Sequence, residues 1–120
     1  MRIKLKYGFH FDSAHFLPTY EGKCNTIHGH SYKCSIVVSG EIDSQSGMLM
    51  DFKDLKLLVK TTIEDKLDHK LLNDIIPNPT AENTAYYIYN ELYQNYFKFK
   101  DIRLDSVEVY ETENCSAIVT

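Results

Sequence analysis

The sequence predicts an α+β domain, in which a four-stranded antiparallel sheet carries two helices on one face, in the order strand, strand, helix, helix, strand, strand. Two observations predict this fold class. Apolar and polar residues alternate near both ends of the chain, whereas apolar residues recur at three- and four-residue intervals in its middle. Strand pairs on either side of a helix pair are typical of an antiparallel sheet with helices on one face. The length of 120 residues fits a single domain, residues 1–120.

The first two strands are predicted from strict alternation. One extends from Arg2 to Phe11, and after a loop around Pro18 to Asn25 the other extends from Ser31 to Ser39 and ends at Gly40. One face of each strand is apolar and is expected to line the core. These inward residues are Ile3, Leu5, Tyr7, Phe9 and Phe11 in the first strand and Tyr32, Cys34, Ile36 and Val38 in the second.

The middle of the chain predicts two amphipathic helices. Apolar residues follow helical spacing over residues 52–67, and Asp51 precedes them as an N-cap. The segment 73–79 contains two prolines and ends this helix. Thr80 is placed to cap a second helix, whose apolar face covers residues 81–96.

The carboxyl end returns to alternation. A third strand is predicted from Val107 to Glu111, a turn at Glu113-Asn114, and a short last strand from Ala117 to Val119. A four-stranded sheet in so small a chain has two open edges, which proteins cover or pair. We therefore expect the edges to pair between copies of the chain.

Composition excludes several classes of protein. Hydrophobic residues make up 43% and charged residues 25%, as in an ordinary globular domain. The net charge of −4 and the lack of a Lys/Arg cluster argue against a dedicated nucleic-acid-binding protein. No apolar run approaches the ~20 residues of a membrane-spanning helix, and the first residues alternate instead of forming a signal-peptide core. Three cysteines cannot form a closed disulfide framework. We expect a cytoplasmic protein.

A histidine pattern predicts a metal site. In His28-Gly29-His30 the two imidazoles lie on the same face of a strand and can bind one ion. His15 has the parity of Phe9 and Phe11, and hairpin pairing can bring it opposite the pair. Three imidazoles with one open position describe a catalytic zinc site. Taken alone, the His28–His30 pair fits a role without metal, as exposed surface histidines or as hydrogen-bonded core histidines, as well as it fits a metal site.

Cys24, four residues before His28, has two possible roles. It could close a four-ligand structural zinc site, or supply a thiolate while the metal keeps an open position. The spacing does not decide between them. Cys34 is assigned to the core, and Cys115 is given no role.

Two further acidic positions are candidates for chemistry. Asp68 can orient the imidazole of His69, but neighbouring residues in a regular helix do not face each other, so this pair requires a helix end. Glu111 continues the inward parity of Val107 and Val109. A carboxylate on a buried face is costly unless it is hydrogen-bonded, so Glu111 is either a solvated strand end or a ligand anchor.

Taken together, these features resemble the 6-pyruvoyltetrahydropterin synthase family. Each motif is ordinary alone, but their order and separation along nearly the whole chain make the resemblance specific. The motifs are His15, Cys24-x-x-x-His28-Gly29-His30, Gly47-x-x-x-Asp51-Phe52, Leu67-Asp68-His69-x-x-Leu72-Asn73, Pro79-Thr80-x-Glu82-Asn83 and Glu111-Thr112. The three-residue gap between Cys24 and His28 is similar to the 6-carboxytetrahydropterin synthase branch of the family, which serves queuosine biosynthesis.

The resemblance implies a tunnelling fold, in which trimers close their sheets into a barrel, two trimers stack into a homohexamer, and active sites lie between subunits. It also implies conversion of 7,8-dihydroneopterin triphosphate to 6-carboxy-5,6,7,8-tetrahydropterin, with release of acetaldehyde and triphosphate. By the same resemblance, zinc would be bound by His15, His28 and His30. Cys24 would transfer a proton with the help of Asp68 and His69, and Glu111 would anchor the pterin ring.

Two other functions fit the same sequence. One is a 6-pyruvoyltetrahydropterin synthase, which eliminates triphosphate and keeps the carbon skeleton. The other is a non-enzymatic module in which Cys24 completes a four-ligand zinc site. Neither the residues that bind the triphosphate nor the subunit that supplies each site residue follows from the sequence.

Overall fold

A computed structural model describes residues 1–22 and 25–120. It contains one four-stranded sheet in the order β1-β2-β3-β4, and each neighbouring pair is antiparallel. The element order is that predicted, with the two helical regions between β2 and β3. The strands are β1 (Arg2–His15), β2 (His28–Glu41), β3 (Arg103–Thr112) and β4 (Cys115–Val119).

Strands β1 and β2 form a long hairpin with 14 residues on each side. Their register pairs Arg2 with Glu41 at one end and His15 with His28 at the other. The first strand is four residues longer than predicted, because Ser13 and His15 continue the inward parity with polar instead of apolar side chains. The extension places the predicted metal ligands opposite each other.

The first helical region is one continuous run of three segments. It comprises α1 (Phe52–Val59), a π-helical turn (Lys60–Glu64) and α2 (Asp65–Leu67). Asp51 caps it as predicted, because its carboxylate accepts a 2.8 Å hydrogen bond from the Lys53 N–H. A 3-10 turn (Leu72–Asp74) lies between the helical regions.

The second helix is α3 (Ala81–Asn95), followed by a 3-10 turn (Phe97–Phe99). The hydroxyl of Thr80 accepts a 3.0 Å hydrogen bond from the Asn83 N–H, which confirms the predicted N-cap. None of the helices in the described ranges is both long and apolar enough to cross a membrane.

The core lies between the helices and one face of the sheet. Cys34 is buried there, as predicted, and burial raises the pKa of its thiol. Four residues at four-residue intervals line the buried face of the first helical region. They are Leu55, Val59, Ile63 and Leu67, all fully buried.

Strand β3 begins four residues earlier than predicted. A bulge in β3 shifts the register, so that the consecutive residues Val37 and Val38 of β2 pair with Ser106 and Leu104. Asp105 is the extra residue, and the inward parity changes there from Leu104 to Val107. This break in alternation is why the first part of β3 has no period-two signal.

The outer edge of β1 is partly covered by the segment that follows α2. His69 N–H donates to the Asp12 carbonyl at 2.7 Å, and Ala14 N–H donates to the Lys70 carbonyl at 3.0 Å. Ala14 also forms a parallel bridge with Leu71. The end of the first helical region is therefore fixed to the same end of β1 that carries His15.

Candidate active site

The three predicted histidine ligands meet at one end of the β1–β2 hairpin. His15 is fully buried, whereas His28 and His30 are partly exposed on the neighbouring strand. The Nε2 atoms of His15 and His28 lie 3.1 Å apart. A donor atom from each histidine and one from Glu111 all lie within 4.8 Å of one another. The structure thus brings together the three histidines and Glu111, which the parity argument placed on the inward face of the sheet.

Backbone carbonyls fix the ring protons of two of these histidines. His15 Nδ1 lies 2.8 Å from the Pro79 carbonyl, and His28 Nδ1 lies 2.7 Å from the Thr26 carbonyl. A carbonyl can only accept, so each Nδ1 carries hydrogen, and in the neutral ring each Nε2 presents a lone pair. Two lone pairs facing each other at 3.1 Å repel unless a cation lies between them. This is the outer-shell arrangement typical of histidine metal ligands.

His30 and Glu111 complete the cluster. The Glu111 carboxylate lies 3.0 Å from His30 Nε2 and 3.4 Å from His15 Nε2. His30 Nε2 is buried and, within the described part of the chain, makes no hydrogen bond of good geometry. Burial lowers the pKa of His30 and favours its neutral form. Three imidazoles and a carboxylate are a donor set that fits a divalent transition metal.

Tyr32 packs beneath the histidines. Its hydroxyl lies 3.2 Å from His15 Nδ1, and its ring is edge-on to the rings of His15 and His30. Burial raises the pKa of the Tyr32 phenol, so it stays protonated. The sequence pattern assigned Tyr32 only to the core. Its parity with His30 was the signal that it also supports the ligands.

Asp68 and His69 form the predicted pair, and they do so at a helix end as required. Helix α2 ends at Leu67 and Asp68 is extended, while His69 has a left-handed backbone with φ of 58°. Asp68 Oδ2 lies 3.0 Å from His69 Nδ1. The Asp12 N–H donates to Asp68 Oδ1 at 3.0 Å and, as the largest cause, holds the pKa of that carboxyl below its usual range.

Two residues in this region hold the backbone and were not predicted to have a role. The side chain of Asn73 accepts a hydrogen bond from Phe16 N–H at 3.0 Å and donates one to the Phe16 carbonyl at 2.8 Å. It continues the edge contacts of Asp12 and Ala14 beyond the end of β1. The other residue is Pro79, whose carbonyl accepts from His15. Both belong to motifs noted in the sequence, but only the fold shows what they contact.

Two cavities adjoin the cluster. An open cleft of about 590 Å³ is lined by His30 of the cluster and by His69 of the Asp68–His69 pair. A second cavity of about 390 Å³ lies beside Glu111, between the first turn of α3 and β4, and Glu82 and Cys115 also line it. The predicted residue Cys24 lies outside the described residues.

Comparison with known proteins finds similarity along nearly the whole chain. Residues 4–120 match the family model described as 6-pyruvoyl tetrahydropterin synthase. The chain is 38% identical over 110 residues to the 6-carboxy-5,6,7,8-tetrahydropterin synthase of Synechocystis, covering 87% of this chain and 82% of the relative. It is 35% identical over 111 residues to the dihydroneopterin monophosphate aldolase of Pyrococcus furiosus, covering 92% and 91%.

A solved structure extends the similarity to the fold. The 6-pyruvoyl tetrahydropterin synthase of Caenorhabditis elegans superposes with a TM-score of 0.86 at 25% sequence identity. The match covers 99% of this chain and 95% of that protein. A single chain therefore has the predicted subunit fold of this family, a four-stranded antiparallel sheet with two helices in the order ββααββ.

Proposed function

This chain belongs to the 6-pyruvoyl tetrahydropterin synthase family and is a pterin-processing lyase, and we propose that it is a zinc-dependent 6-carboxytetrahydropterin synthase. The reaction converts 7,8-dihydroneopterin triphosphate and one water molecule to 6-carboxy-5,6,7,8-tetrahydropterin, acetaldehyde and triphosphate, a step of queuosine biosynthesis. The observation that carries the proposal is the three-residue gap between Cys24 and His28. Curated relatives at 31% and 38% identity that bear the same name support it. Membership of an enzyme family sets aside the non-enzymatic zinc module.

His15, His28 and His30 are the proposed zinc ligands. Their support is the pair of facing lone pairs and the buried Nε2 of His30 without a well-formed hydrogen bond. A zinc ion bound there would supply Lewis-acid polarisation of the substrate's side-chain oxygens. The Pro79 and Thr26 carbonyls hold the rings in the tautomer that points Nε2 at the site.

Cys24, Asp68 and His69 are proposed to move protons. A free cysteine thiol has a pKa near 8.5, so the Cys24 thiol needs nearby positive charge to act as a base at neutral pH. As thiolate it would accept the proton from the substrate's side-chain carbon. His69, oriented by Asp68 at 3.0 Å, would return a proton to another atom. The cleft shared by His30 and His69 supports a common substrate position.

Glu111 is proposed to anchor the pterin. Its carboxylate can accept two N–H bonds from the aminopyrimidine edge of the ring. Such a paired contact selects the ring, because a ligand without those donors would leave the carboxylate unpaired.

We also propose that the chain works as a homohexamer in the cytoplasm, with sites between subunits. The sheet edges at β1 and β4 support assembly, because each strand pairs on only one side with another strand of the described residues. Light scattering should find a trimer or a hexamer. A fully active monomer would overturn this part of the proposal.

The test of the reaction is incubation with dihydroneopterin triphosphate, followed by mass identification of every product. We expect 6-carboxytetrahydropterin and acetaldehyde in equal amounts, and neither from a His28→Ala control. A pyruvoyl product without acetaldehyde would move the chain to the 6-pyruvoyltetrahydropterin synthases. Turnover of the monophosphate alone would match the Pyrococcus relative's name instead.

A further inference from the structure

We propose that the end of the sheet opposite the histidine cluster carries a second ligand site, which binds a small oligophosphate anion. The site is a cavity of about 460 Å³ between the start of β1, the start of β3 and the segment that follows α3. Arg2, which lines it, and His15 are the two ends of the 14-residue strand β1, so about 43 Å of extended chain separates them. The cavity is therefore distinct from the proposed active site of the same chain and is not needed for the proposed reaction.

Four cationic side chains line this cavity, and the fold brings them together. The segment from residue 98 to residue 103 supplies Lys98, Lys100 and Arg103, whereas Arg2 comes from the opposite end of the sequence. Strand β2 pairs with both β1 and β3, and its last residues place Arg2 and Arg103 on either side of it. No run of basic residues marks the site in the sequence, because it forms only when the sheet is assembled.

Acidic groups do not neutralise the four cations. Asp101 is the one acidic residue among the described residues that line the cavity. Arg103 Nε lies 3.2 Å from the Asp105 carboxylate, but Lys4 Nζ lies at the same distance from it, so this carboxylate balances only one of the two cations. The lining has three more cationic than acidic side chains, in a chain whose net charge is −4. A local excess of positive charge of this kind attracts anions to the cavity.

Neutral groups hold the remaining cations in place. Arg2, Lys98 and Lys100 form no ion pair with any residue that the structure describes. Lys98 Nζ lies 5.2 Å from the centroid of the Phe99 ring, and Lys100 Nζ lies 5.1 Å from that of the Tyr96 ring. Arg2 donates to a serine hydroxyl of β2 at 3.3 Å. Rings and hydroxyls orient these side chains without cancelling their charge, so the charge stays available to a ligand.

The lining selects a compact anion with several negative charges. Arginine and lysine bind phosphate oxygens through charge-assisted hydrogen bonds, and arginine can form two of them at once. The volume lies within the range of about 300–1,000 Å³ typical of small-molecule sites, so a short chain of phosphates fits there. Inorganic triphosphate and a nucleoside triphosphate share this chemistry.

An exposed tyrosine separates these two sources of oligophosphate. Tyr93 also lines the cavity, is 41% exposed and stacks on Tyr89. A ring of this kind can stack with a nucleic base. If the ligand carries a base, ATP should bind more tightly than inorganic triphosphate, and Tyr93→Leu should remove the difference. Equal binding of the two would assign the site to the phosphate chain alone. Both results place an oligophosphate in the cavity.

The test is titration calorimetry of the purified protein with inorganic triphosphate. We expect the double variant Lys98→Gln, Lys100→Gln to bind triphosphate at the cavity at least about 10-fold more weakly than wild type, because it loses charge-assisted hydrogen bonds. The matched control is Lys53→Gln, Lys56→Gln, which removes two exposed cations of α1 that do not line the cavity. It should bind triphosphate as wild type does. Triphosphate bound at the proposed active site, where it is a product, should appear equally in all three proteins.

Three results would overturn the inference. One is the same affinity and stoichiometry for triphosphate in wild type and in Lys98→Gln, Lys100→Gln. Another is an equal loss in the Lys53→Gln, Lys56→Gln control, since net charge alone would then explain the binding. The third is tighter binding of a single-stranded oligonucleotide than of triphosphate to wild type, which would make the patch a nucleic-acid surface. No turnover is involved, so failure here leaves the product assay of the proposed reaction unaffected.

Discussion

The histidine cluster and the Asp68–His69 pair each contribute one histidine to the same cleft, but they are built in different ways. The cluster lies on paired strands and its first histidine, His15, is fully buried, whereas the His69 side chain is 79% exposed at the end of a helix. Side-chain parity and strand register position the cluster. The pair is held by backbone hydrogen bonds to the edge of β1, at Asp12. Buried ligands and an accessible proton carrier are what the proposed metal-assisted proton transfer would need.

The largest effect should follow from breaking the cluster. His28→Ala leaves two imidazoles, and we expect it to lose stoichiometric zinc and all measurable activity. Metal analysis of the purified protein measures this directly. His10→Ala is the matched control, because His10 is an exposed histidine of the same hairpin and is outside the cluster. Full zinc content in His28→Ala would refute the ligand assignment.

A smaller effect on rate, with zinc kept, should follow from removing the proposed proton carriers. We expect Cys24→Ala to retain zinc and assembly and to bind substrate, but to turn over about 10²–10⁴-fold more slowly. His69→Ala should have the same phenotype. The double variant should be little slower than either single one, because residues of one relay are not additive. Single-turnover rates and metal content are the measurements.

The contrary result for Cys24 is clear. If Cys24→Ala loses zinc and precipitates, while any soluble fraction remains active, the thiol is a structural ligand and not a proton carrier.

A change at the β1 edge should mainly lower stability. Asn73→Ala removes two hydrogen bonds and leaves Phe16 N–H and carbonyl without them. We expect a loss of about 1–3 kcal/mol in the free energy of unfolding, measured in urea. Asn73→Asp keeps the acceptor and loses the donor, so it should fall between Ala and wild type. Equal midpoints for all three would show that this contact contributes nothing.

The smallest effect should be the pH dependence of Asp68. Its pKa is held below the ordinary value of 3.8, mainly by the Asp12 N–H, so the ionised carboxylate stabilises the folded state above that value. Asp68→Asn should therefore be less stable than wild type at pH 7. The difference in midpoints should shrink as the pH falls below 3.8, when Asp68 takes up its proton in both states. A difference that is constant with pH would contradict the charge as its cause.

Sequence parity predicted the cluster because a strand repeats every two residues and His15, His28 and His30 keep that repeat. The sequence predicted the Asp68–His69 pair but not the residue that holds it in place. Asp12 holds it through backbone groups, which every residue has, so no sequence signal marks that role. Asn73 likewise mimics a strand edge with its side chain, a role that has no periodic signal. The early start of β3 was missed because the bulge at Asp105 changes the parity.

The π-helical turn at Lys60–Glu64 accommodates one residue more than a regular α-helix would hold in the same length. Leu55 and Leu67 are twelve residues apart, and in a regular α-helix their side-chain directions would differ by about 120°. For two residues eleven apart the difference would be only about 20°. The wider turn takes up the difference, and Leu55, Val59, Ile63 and Leu67 all stay buried. Deleting exposed Thr61 should leave a regular helix with the same core contacts and with Asp68 still directed at Asp12. We expect relatives that are one residue shorter here to have no π turn.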